Sequence, residues 1–487
     1  LHNVTVINKC MDNRIDLSEY EYVPPLADTD YDCAVAFKKY MEDNGSAFVK
    51  YINGKMEEYY YFNKESGIWV QDINQIRPYI HECDTISDDY RTGANKKSNL
   101  LTELKCLIEL DTQLHANRHS STYKHIAFND GIYSFKDKKL LEFNKKFFFT
   151  TKLKTNYDPN FDMWQQEEVK AKLVNGVFNE EVGEYFLKGL ARAMAGEIND
   201  KNFYIIVGFT NSGKGSLSDI IQKAFSAFCG IFSATSLQVK KNSSTDAKGL
   251  SWLYELKDKR FAIANEWNME VEADGTFIKT ITGGDDIVAR QNYISEVTFK
   301  PSCTYFTFAN DVPKISCSDE GVLNRNKYMR TEYSYLSGEQ YEAKKNNDYV
   351  KKADESIKDV FIRDSNVIQT FMYMVLNAYE DKKPYEPKGV IEENQSWAEN
   401  TDMSKELLKL FVEGNANDFI TVDDFYKRVE KKKLKLSKNK VGRIMSQEGY
   451  KSQPKNCSDI GKSIRCYIGI KFKPRSEVDD INAEDDL

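Results

Sequence analysis

The segment from Phe203 to Ser216 constrains the fold of this chain more than any other. Its apolar run Phe203–Val207 is typical of a buried parallel strand. After that run come Gly208-Phe209-Thr210-Asn211-Ser212-Gly213-Lys214-Gly215-Ser216 and a helical pattern over 217–228. This order is that of a phosphate-binding loop, whose backbone N–H groups surround phosphates while Lys214 contacts the β- and γ-oxygens. All nine loop residues are therefore expected to bind a nucleotide, on an α/β fold with a parallel sheet.

One position of the loop departs from the usual pattern. The residue after the lysine is ordinarily Ser or Thr, whose hydroxyl contacts Mg²⁺. Here it is Gly215, and Ser216 follows. Either Ser216 takes over the magnesium contact with a shifted geometry, or a water molecule fills the position.

Two further apolar runs end in polar side chains that suit nucleotide hydrolysis. Phe261–Ala264 precedes Glu266, and Tyr305–Ala309 precedes Asn310. A carboxylate at a strand end can hold Mg²⁺ and orient water, and an amide beside the phosphates can sense the γ-phosphate. The alternatives are a surface glutamate and a turn-forming asparagine.

Composition excludes several classes of protein. Hydrophobic residues make up 41% of the 487, which is enough for packed cores, and no apolar run approaches the ~18 residues of a membrane span. The nine cysteines are scattered without a CxxC pair, which predicts a reducing, intracellular location. The chain begins at Leu1 without a signal sequence, so we expect a cut from a longer chain.

Charge is concentrated near the end of the chain. Residues 421–475 hold 16 Lys and Arg against 5 Asp and Glu, whereas 476–487 hold six acids and no base. The basic segment predicts two helices and a β-hairpin, the order of a winged helix, with a recognition helix over 438–446. Its Lys438, Lys440 and Arg443 would contact DNA phosphates. A solvated lysine-rich helix is the alternative.

The order of these motifs resembles that of superfamily 3 helicases, above all the poxvirus-type primase–helicases of large DNA viruses and the primases of phages and plasmids. The matching segments are 208–216, 261–266, the Lys-x-x-Thr-Gly-Gly-Asp run with Arg290 within 278–290, 306–310, and Asn324-Arg325. Residues 127–133 resemble the element that precedes the ATPase, and the basic region resembles the C-terminal winged helix of that family.

The resemblance implies an AAA+-like core, a homohexameric ring, ATP with Mg²⁺, and single-stranded or forked DNA in the channel. It also implies an upstream primase domain and a site of replication in the host cytoplasm. Lys214 would bind phosphate, Glu266 would be the Walker B acid, Asn310 the sensor, and Arg325 the finger for a neighbouring subunit. Arg330 is the alternative finger. Lys279 and Arg290 would be the basic residues of a DNA-facing hairpin, although Arg290 could instead brace the subunit interface.

The same reasoning divides the chain into regions. We expect an N-terminal α+β domain at 1–160, a helical collar at 161–200 and the ATPase at 201–380. A connector at 381–402, a winged-helix-like domain at 403–475 and a disordered acidic tail at 476–487 follow. Within the first domain a helix is predicted over 99–114.

Three functions are compatible with the sequence. The first is an ATP-driven replicative helicase, and the second is a DNA-binding initiator whose ATPase only assembles a ring. The third, a P-loop nucleotide kinase, is disfavoured because the chain shows no obvious basic lid and has a basic C-terminal region that a kinase does not need. Strand displacement on a forked substrate separates the first two.

Overall fold

The computed structural model describes residues 25–473, apart from the positions listed at the end of this paragraph. At 53, 115–117, 247–248, 399–401, 403–405, 440, 443, 447, 456–457 and 462 it describes the backbone alone. Within the described part, no helix is both long and apolar enough to cross a bilayer. The positions left out are 54–55, 161, 239–246, 268–271, 291–295, 314, 317–319, 402, 416, 433, 435, 448 and 458–461.

The N-terminal region combines helices with two small antiparallel sheets, β1-β2-β3 and β4-β5-β6. Helices α1, α2, α3 and α4 share one core with the first sheet. The elements are α1 Asp30–Asp43, β1 Phe48–Asn53, β2 Met56–Asn63, β3 Ile68–Val70, α2 Arg77–Glu82, α3 Asp88–Thr92, α4 Ala94–Leu107, α5 Leu114–Thr122, β4 His125–Ala127, β5 Ile132–Ser134 and β6 Lys139–Leu141.

The single helix predicted over 99–114 is wrong, because the chain makes two helices here, α4 and α5. Between them the backbone is extended at Ile108 and pairs with β1. Lys50 N donates to Glu109 O and Asp111 N donates to Lys50 O, at 3.0 and 2.8 Å. These sheet-type hydrogen bonds compete with the helical ones, so the helix ends at Leu107.

The central region is built on five parallel strands in the order β13-β7-β12-β9-β8. Its elements are α6 Met163–Val169, α7 Glu180–Ala195, β7 Phe203–Val207, α8 Lys214–Ala224, β8 Cys229–Ile231, α9 Ser251–Glu255, β9 Phe261–Ala264, α10 Gly275–Gly283, β10 Ile287–Ala289, β11 Val297–Phe299, β12 Thr304–Ala309, α11 Glu320–Leu323, β13 Asn326–Arg330, β14 Ser334–Leu336, α12 Gly338–Lys344, β15 Val350–Lys352, α13 Ser356–Asp359, α14 Ser365–Asn377 and α15 Lys388–Thr401.

Buried residues lie on both faces of the five-stranded sheet, as expected of parallel strands that read as continuous apolar runs. One of these cores also contains residues 126–153 of the second small sheet and its continuation. The boundary predicted at 160 therefore does not separate two hydrophobic cores, whereas residues 33–108 contribute to a core of their own.

The C-terminal region contains, in chain order, a helix, two strands, two helices and three strands around a separate core. Strands β17, β19 and β18 form one sheet in that order, and β16 pairs with β20. The elements are α16 Met403–Leu408, β16 Phe411–Glu413, β17 Phe419–Thr421, α17 Val422–Lys431, α18 Lys438–Gln447, β18 Gln453–Cys457, β19 Lys462–Ile468 and β20 Ile470–Phe472.

Candidate functional site

The glycine-rich loop joins the carboxyl end of β7 to the first turn of α8. Two loop residues, Asn211 and Gly213, have left-handed backbones with φ of 62° and 86°. Because Gly213 turns the chain immediately before the helix, α8 begins at Lys214, three residues earlier than the sequence predicts. The loop N–H groups thus stand at the amino end of a helix, where an anion is favoured.

Close packing explains the first glycine of the loop. A Cβ on Gly208 would lie only 1.8 Å from the Thr331 hydroxyl oxygen, which follows β13. Backbone hydrogen bonds also fix the start of the loop. Gly208 N donates to Ala309 O at 3.1 Å, and Thr331 N donates to Val207 O at 2.8 Å. The loop is therefore fixed between the two strands that flank β7.

Lys214 folds back over the loop. Its ammonium group donates to Gly208 O, Phe209 O and the Ser212 hydroxyl at 2.5, 2.8 and 3.0 Å. Burial lowers the pKa of Lys214 to about 8. A half-buried ammonium held only by neutral oxygens gains a stronger partner when an anion enters the loop.

The sheet order brings the other predicted polar residues to the same edge. β12 lies between β7 and β9, so Asn310 follows the strand that separates the glycine-rich loop from Glu266. Both Asn310 and Glu266 are exposed. Three predicted site residues, Lys214, Glu266 and Asn310, therefore lie at the carboxyl ends of three adjacent parallel strands, where ligands of open α/β sheets bind.

Ser218, on the face of α8 directed toward the end of β9, was not predicted as a site residue. The buried Ser218 hydroxyl donates to Asn265 Oδ1 at 2.5 Å. Ser216, in contrast, lines a cavity of about 310 Å³ together with Gly176, Val177 and Tyr335. The four-residue spacing from Lys214 to Ser218 was the available signal, because residues four apart share a helix face.

Oxygen ligands suitable for Mg²⁺ are present at this edge. A Cβ on Gly215 would meet no atom within 4 Å, so the usual place of the Ser or Thr side chain is open. Among the described residues, no three His, Cys, Asp or Glu side chains cluster as a metal site made by protein alone would require. Glu266 with nucleotide phosphates and water is the ligand set that Mg²⁺ commonly takes. The role predicted for Ser216 stays a prediction.

The two candidate arginines lie at opposite ends of β13. Arg325 precedes the strand, and its backbone oxygen accepts from Phe203 N at 2.8 Å. Arg330 ends the strand opposite Val207, next to the glycine-rich loop. Five residues of strand at ~3.3 Å each put the two arginines about 16 Å apart along the sheet.

Each arginine has its own partners. Arg325 Nε donates to the Thr282 hydroxyl at 3.1 Å, and Arg325 Nη1 donates to Gly321 O at 2.6 Å. Arg330 forms a two-pronged ion pair with Glu393 of α15 at 2.6 and 3.0 Å. The Glu393 carboxylate raises the pKa of Arg330 further above its usual range. Arg330 is thus engaged within its own chain beside the loop, and Arg325 lies at the far end of the sheet.

The remaining predicted DNA contacts are only partly described. Lys279 is half-buried on α10, and the exposed Arg290 directly follows β10 of the β10–β11 hairpin. Lys438, at the start of α18, pairs with Asp423 of α17. Lys440 and Arg443 belong to α18, but their side chains lie outside the described residues.

Comparisons with known proteins support the predicted family. A family profile described as "D5 N terminal like" matches residues 35–173. A provisionally named helicase, V13 of Sputnik virophage, is 25% identical over 99% of this chain and 62% of its own length. A provisionally named helicase of Acanthamoeba polyphaga mimivirus is 24% identical over 62% of this chain and 31% of its own. The chain thus spans less than two thirds of both relatives.

Solved structures add a weaker likeness. The apo structure of the NrS-1 C-terminal region is 13% identical, covers 92% of this chain and all of that one, and has a TM-score of 0.42. The family profile and the viral relatives together confirm the predicted resemblance to viral primase–helicases.

Proposed function

We propose that this protein is the helicase part of a viral primase–helicase, which hydrolyses ATP and moves along single-stranded DNA as a ring. One observation carries the proposal: the sheet order places Lys214, Glu266 and Asn310 at one edge, around a loop at the amino end of a helix. These are the parts that phosphoryl transfer to water needs, namely a phosphate cradle, a carboxylate and a polar group near the γ-phosphate.

The nucleotide base is proposed to bind in the cavity beside the loop. Gly176, Val177 and Tyr335 are among the residues that line it. Tyr335 is fixed by two hydrogen bonds, from its N–H to Asn211 O and from its hydroxyl to Gly176 O, both at 2.8 Å. The adenine of ATP would occupy this cavity while the phosphates enter the loop.

In this arrangement each residue has a separate task. Lys214 leaves the loop carbonyls and neutralises the β- and γ-oxygens. Glu266 accepts a hydrogen bond from the attacking water and orients it, and Asn310 donates to the γ-phosphate from the intervening strand. Mg²⁺, held by Glu266 and the phosphates, would supply charge neutralisation.

A ring explains the position of Arg325. A side chain at the amino end of the sheet cannot reach the loop of its own subunit, but a head-to-tail neighbour can be placed against it. We therefore propose a homohexamer in which Arg325 completes the neighbouring site. Arg290 and Lys279, near the β10–β11 hairpin, would face the DNA in the channel.

The C-terminal region is proposed to bind DNA as a winged helix. Its order of one helix, two strands, two helices and three strands resembles that of the motif, with α18 in the place of the recognition helix. Its excess of basic residues would act through phosphates, so binding should weaken steeply with salt.

The test is strand displacement from a forked DNA by the 487-residue chain with ATP, with Lys214→Ala as the inactive control. The natural chain should release the strand only with hydrolysable ATP. The Lys214→Ala variant should lose ATP hydrolysis by on the order of 10²–10³-fold or more, because the phosphates lose their cation. ATP hydrolysis without strand release would favour the replication initiator instead, and absence of both would reject the proposal.

A further inference from the structure

A basic cleft lies at the other end of the sheet from the glycine-rich loop. It has a volume of about 230 Å³ and separates the residues around α5 from those that lead into β9 and β12. We define it by the charged residues that line it: Arg118, Lys257, Asp258, Lys259, Arg260 and Lys300. Five cations therefore face one carboxylate, and that carboxylate is already paired with Arg118 at 2.7 Å.

The floor of the basic cleft is an arginine without a counter-ion. Arg260 is only 5% exposed, and its Nη2 donates to the backbone oxygens of Thr122 and His125 at 2.7 and 3.2 Å. Among the described residues, no carboxylate lies within ion-pair distance of it. Burial, and to a lesser extent Arg118, lower the pKa of Arg260 to about 10. A buried charge held only by carbonyls is costly, and an incoming anion would relieve that cost.

The neighbouring histidine does not supply the missing negative charge. His119 also lines the basic cleft, and burial together with Arg260 lowers its pKa to about 4. It is therefore neutral at physiological pH and can only accept or donate a hydrogen bond. An anion is the one partner that would satisfy the whole cluster.

The rim of the basic cleft points to a strand rather than to a small ion. Lys300 is exposed and directly follows β11 of the hairpin proposed to face DNA. Lys257 also lines the basic cleft and is held against the Tyr254 ring at 4.1 Å. The lining thus combines an exposed cation beside the hairpin with the buried Arg260, so more than one phosphate of a chain can be neutralised here.

From this geometry we infer that the basic cleft binds the phosphodiester backbone of a single nucleic-acid strand, as a contact separate from the hairpin and from the C-terminal region. The inference rests on the proposed function and adds a second binding site for the strand. Binding at this site requires no ATP hydrolysis. The chemistry recognised is the phosphate group, which could also come from free phosphate.

The experiment compares the natural chain with the double variant Lys257→Ala/Lys300→Ala, which leaves the buried Arg260 in place. Binding of a fluorescein-labelled oligothymidylate is followed by anisotropy between 50 and 200 mM salt. Two lost phosphate contacts should reduce the log–log salt slope by roughly 1.4, so the affinity ratio of natural to variant chain should shrink about sevenfold over this range. The control Lys39→Ala/Lys345→Ala, which changes two exposed lysines elsewhere, should keep the natural slope.

Two results would overturn the inference. One is an unchanged salt slope in the double variant. The other is inorganic phosphate binding, measured by calorimetry, that the variant loses while oligonucleotide binding is unchanged, because that would assign a small-anion site. ATP hydrolysis without DNA is measured in parallel and should be equal in both chains. If neither chain hydrolyses ATP but the slopes differ, the proposed function fails and the strand contact stands.

Discussion

The two ends of the five-stranded sheet differ in the hydrogen-bond partners and the exposure of their polar side chains. At the carboxyl end, Lys214 is held by neutral loop oxygens, and Glu266 and Asn310 are exposed. At the amino end, Arg325 is braced by Thr282 and Gly321. The carboxyl end is therefore the end at which we propose that the nucleotide binds. At the amino end, Arg325 is the arginine proposed to serve a neighbouring subunit.

The difference between Arg325 and Arg330 gives the largest expected effect. Arg325→Ala should bind ATP nearly normally but lose hydrolysis by ~10³–10⁵-fold, as expected when an arginine finger is removed. Arg330→Ala loses an ion pair to Glu393 instead and should retain much more activity. Steady-state ATPase rates, with nucleotide binding measured separately, check both variants. A larger loss of ATP hydrolysis in Arg330→Ala than in Arg325→Ala would mean that Arg330 is the finger.

Glu266→Gln tests the carboxyl end alone. The amide is nearly the same size as the carboxylate but orients the attacking water poorly, so turnover should fall by ~10²–10⁴-fold while ATP still binds. Single-turnover hydrolysis and a filter-binding assay measure the two steps. Hydrolysis at the natural rate would mean that Glu266 is a surface residue without a catalytic task.

The pH dependence of ATP binding tests the state of Lys214. Its pKa is about 8 in the free protein because of burial, and the phosphates should raise that pKa in the complex. ATP affinity is then greatest below pH 8 and falls as pH rises above it, by up to about tenfold per unit, since one proton must be taken up on binding. Calorimetry between pH 7 and 9.5 measures this slope. Lys214→Arg, whose side chain stays charged, should flatten it.

Alanine substitutions of two loop glycines should have the smallest effects, and these should change the stability in opposite directions. Gly215→Ala adds a Cβ with no atom within 4 Å and reduces backbone freedom in the unfolded chain, so it should stabilise the protein by about 0.5–1 kcal/mol. Gly208→Ala forces a Cβ against Thr331 and should destabilise it by ~1–3 kcal/mol. Denaturant unfolding compares them. Equal effects would mean that the loop packs differently from the structure described here.

Sequence reasoning succeeded where the local signal was strong. The strands at 203–207 and 261–264 have the predicted bounds because each is a continuous apolar run with polar residues or glycine at its end. The cap of α17 is equally local, since the Thr421 hydroxyl accepts from Asp424 N at 3.0 Å. These features depend on neighbours in the chain.

Other features depend on residues far apart in sequence. The Ser218–Asn265 hydrogen bond joins positions 47 apart, and the Arg330–Glu393 pair joins positions 63 apart. The separation of Arg325 and Arg330 follows from the parallel register of β13 with β7, which the sequence does not display. The basic cleft likewise combines α5 with segments more than a hundred residues away.

One subunit is proposed to supply the loop and its neighbour the arginine, and mixing two inactive variants tests this most directly. Lys214→Ala and Arg325→Ala should each hydrolyse almost no ATP. In a one-to-one mixture that assembles rings, about a quarter of the interfaces would pair an intact loop with an intact Arg325, so ATPase activity should reappear. Mass measurement with nucleotide establishes the assembly. Mixed rings without regained hydrolysis would contradict the claim.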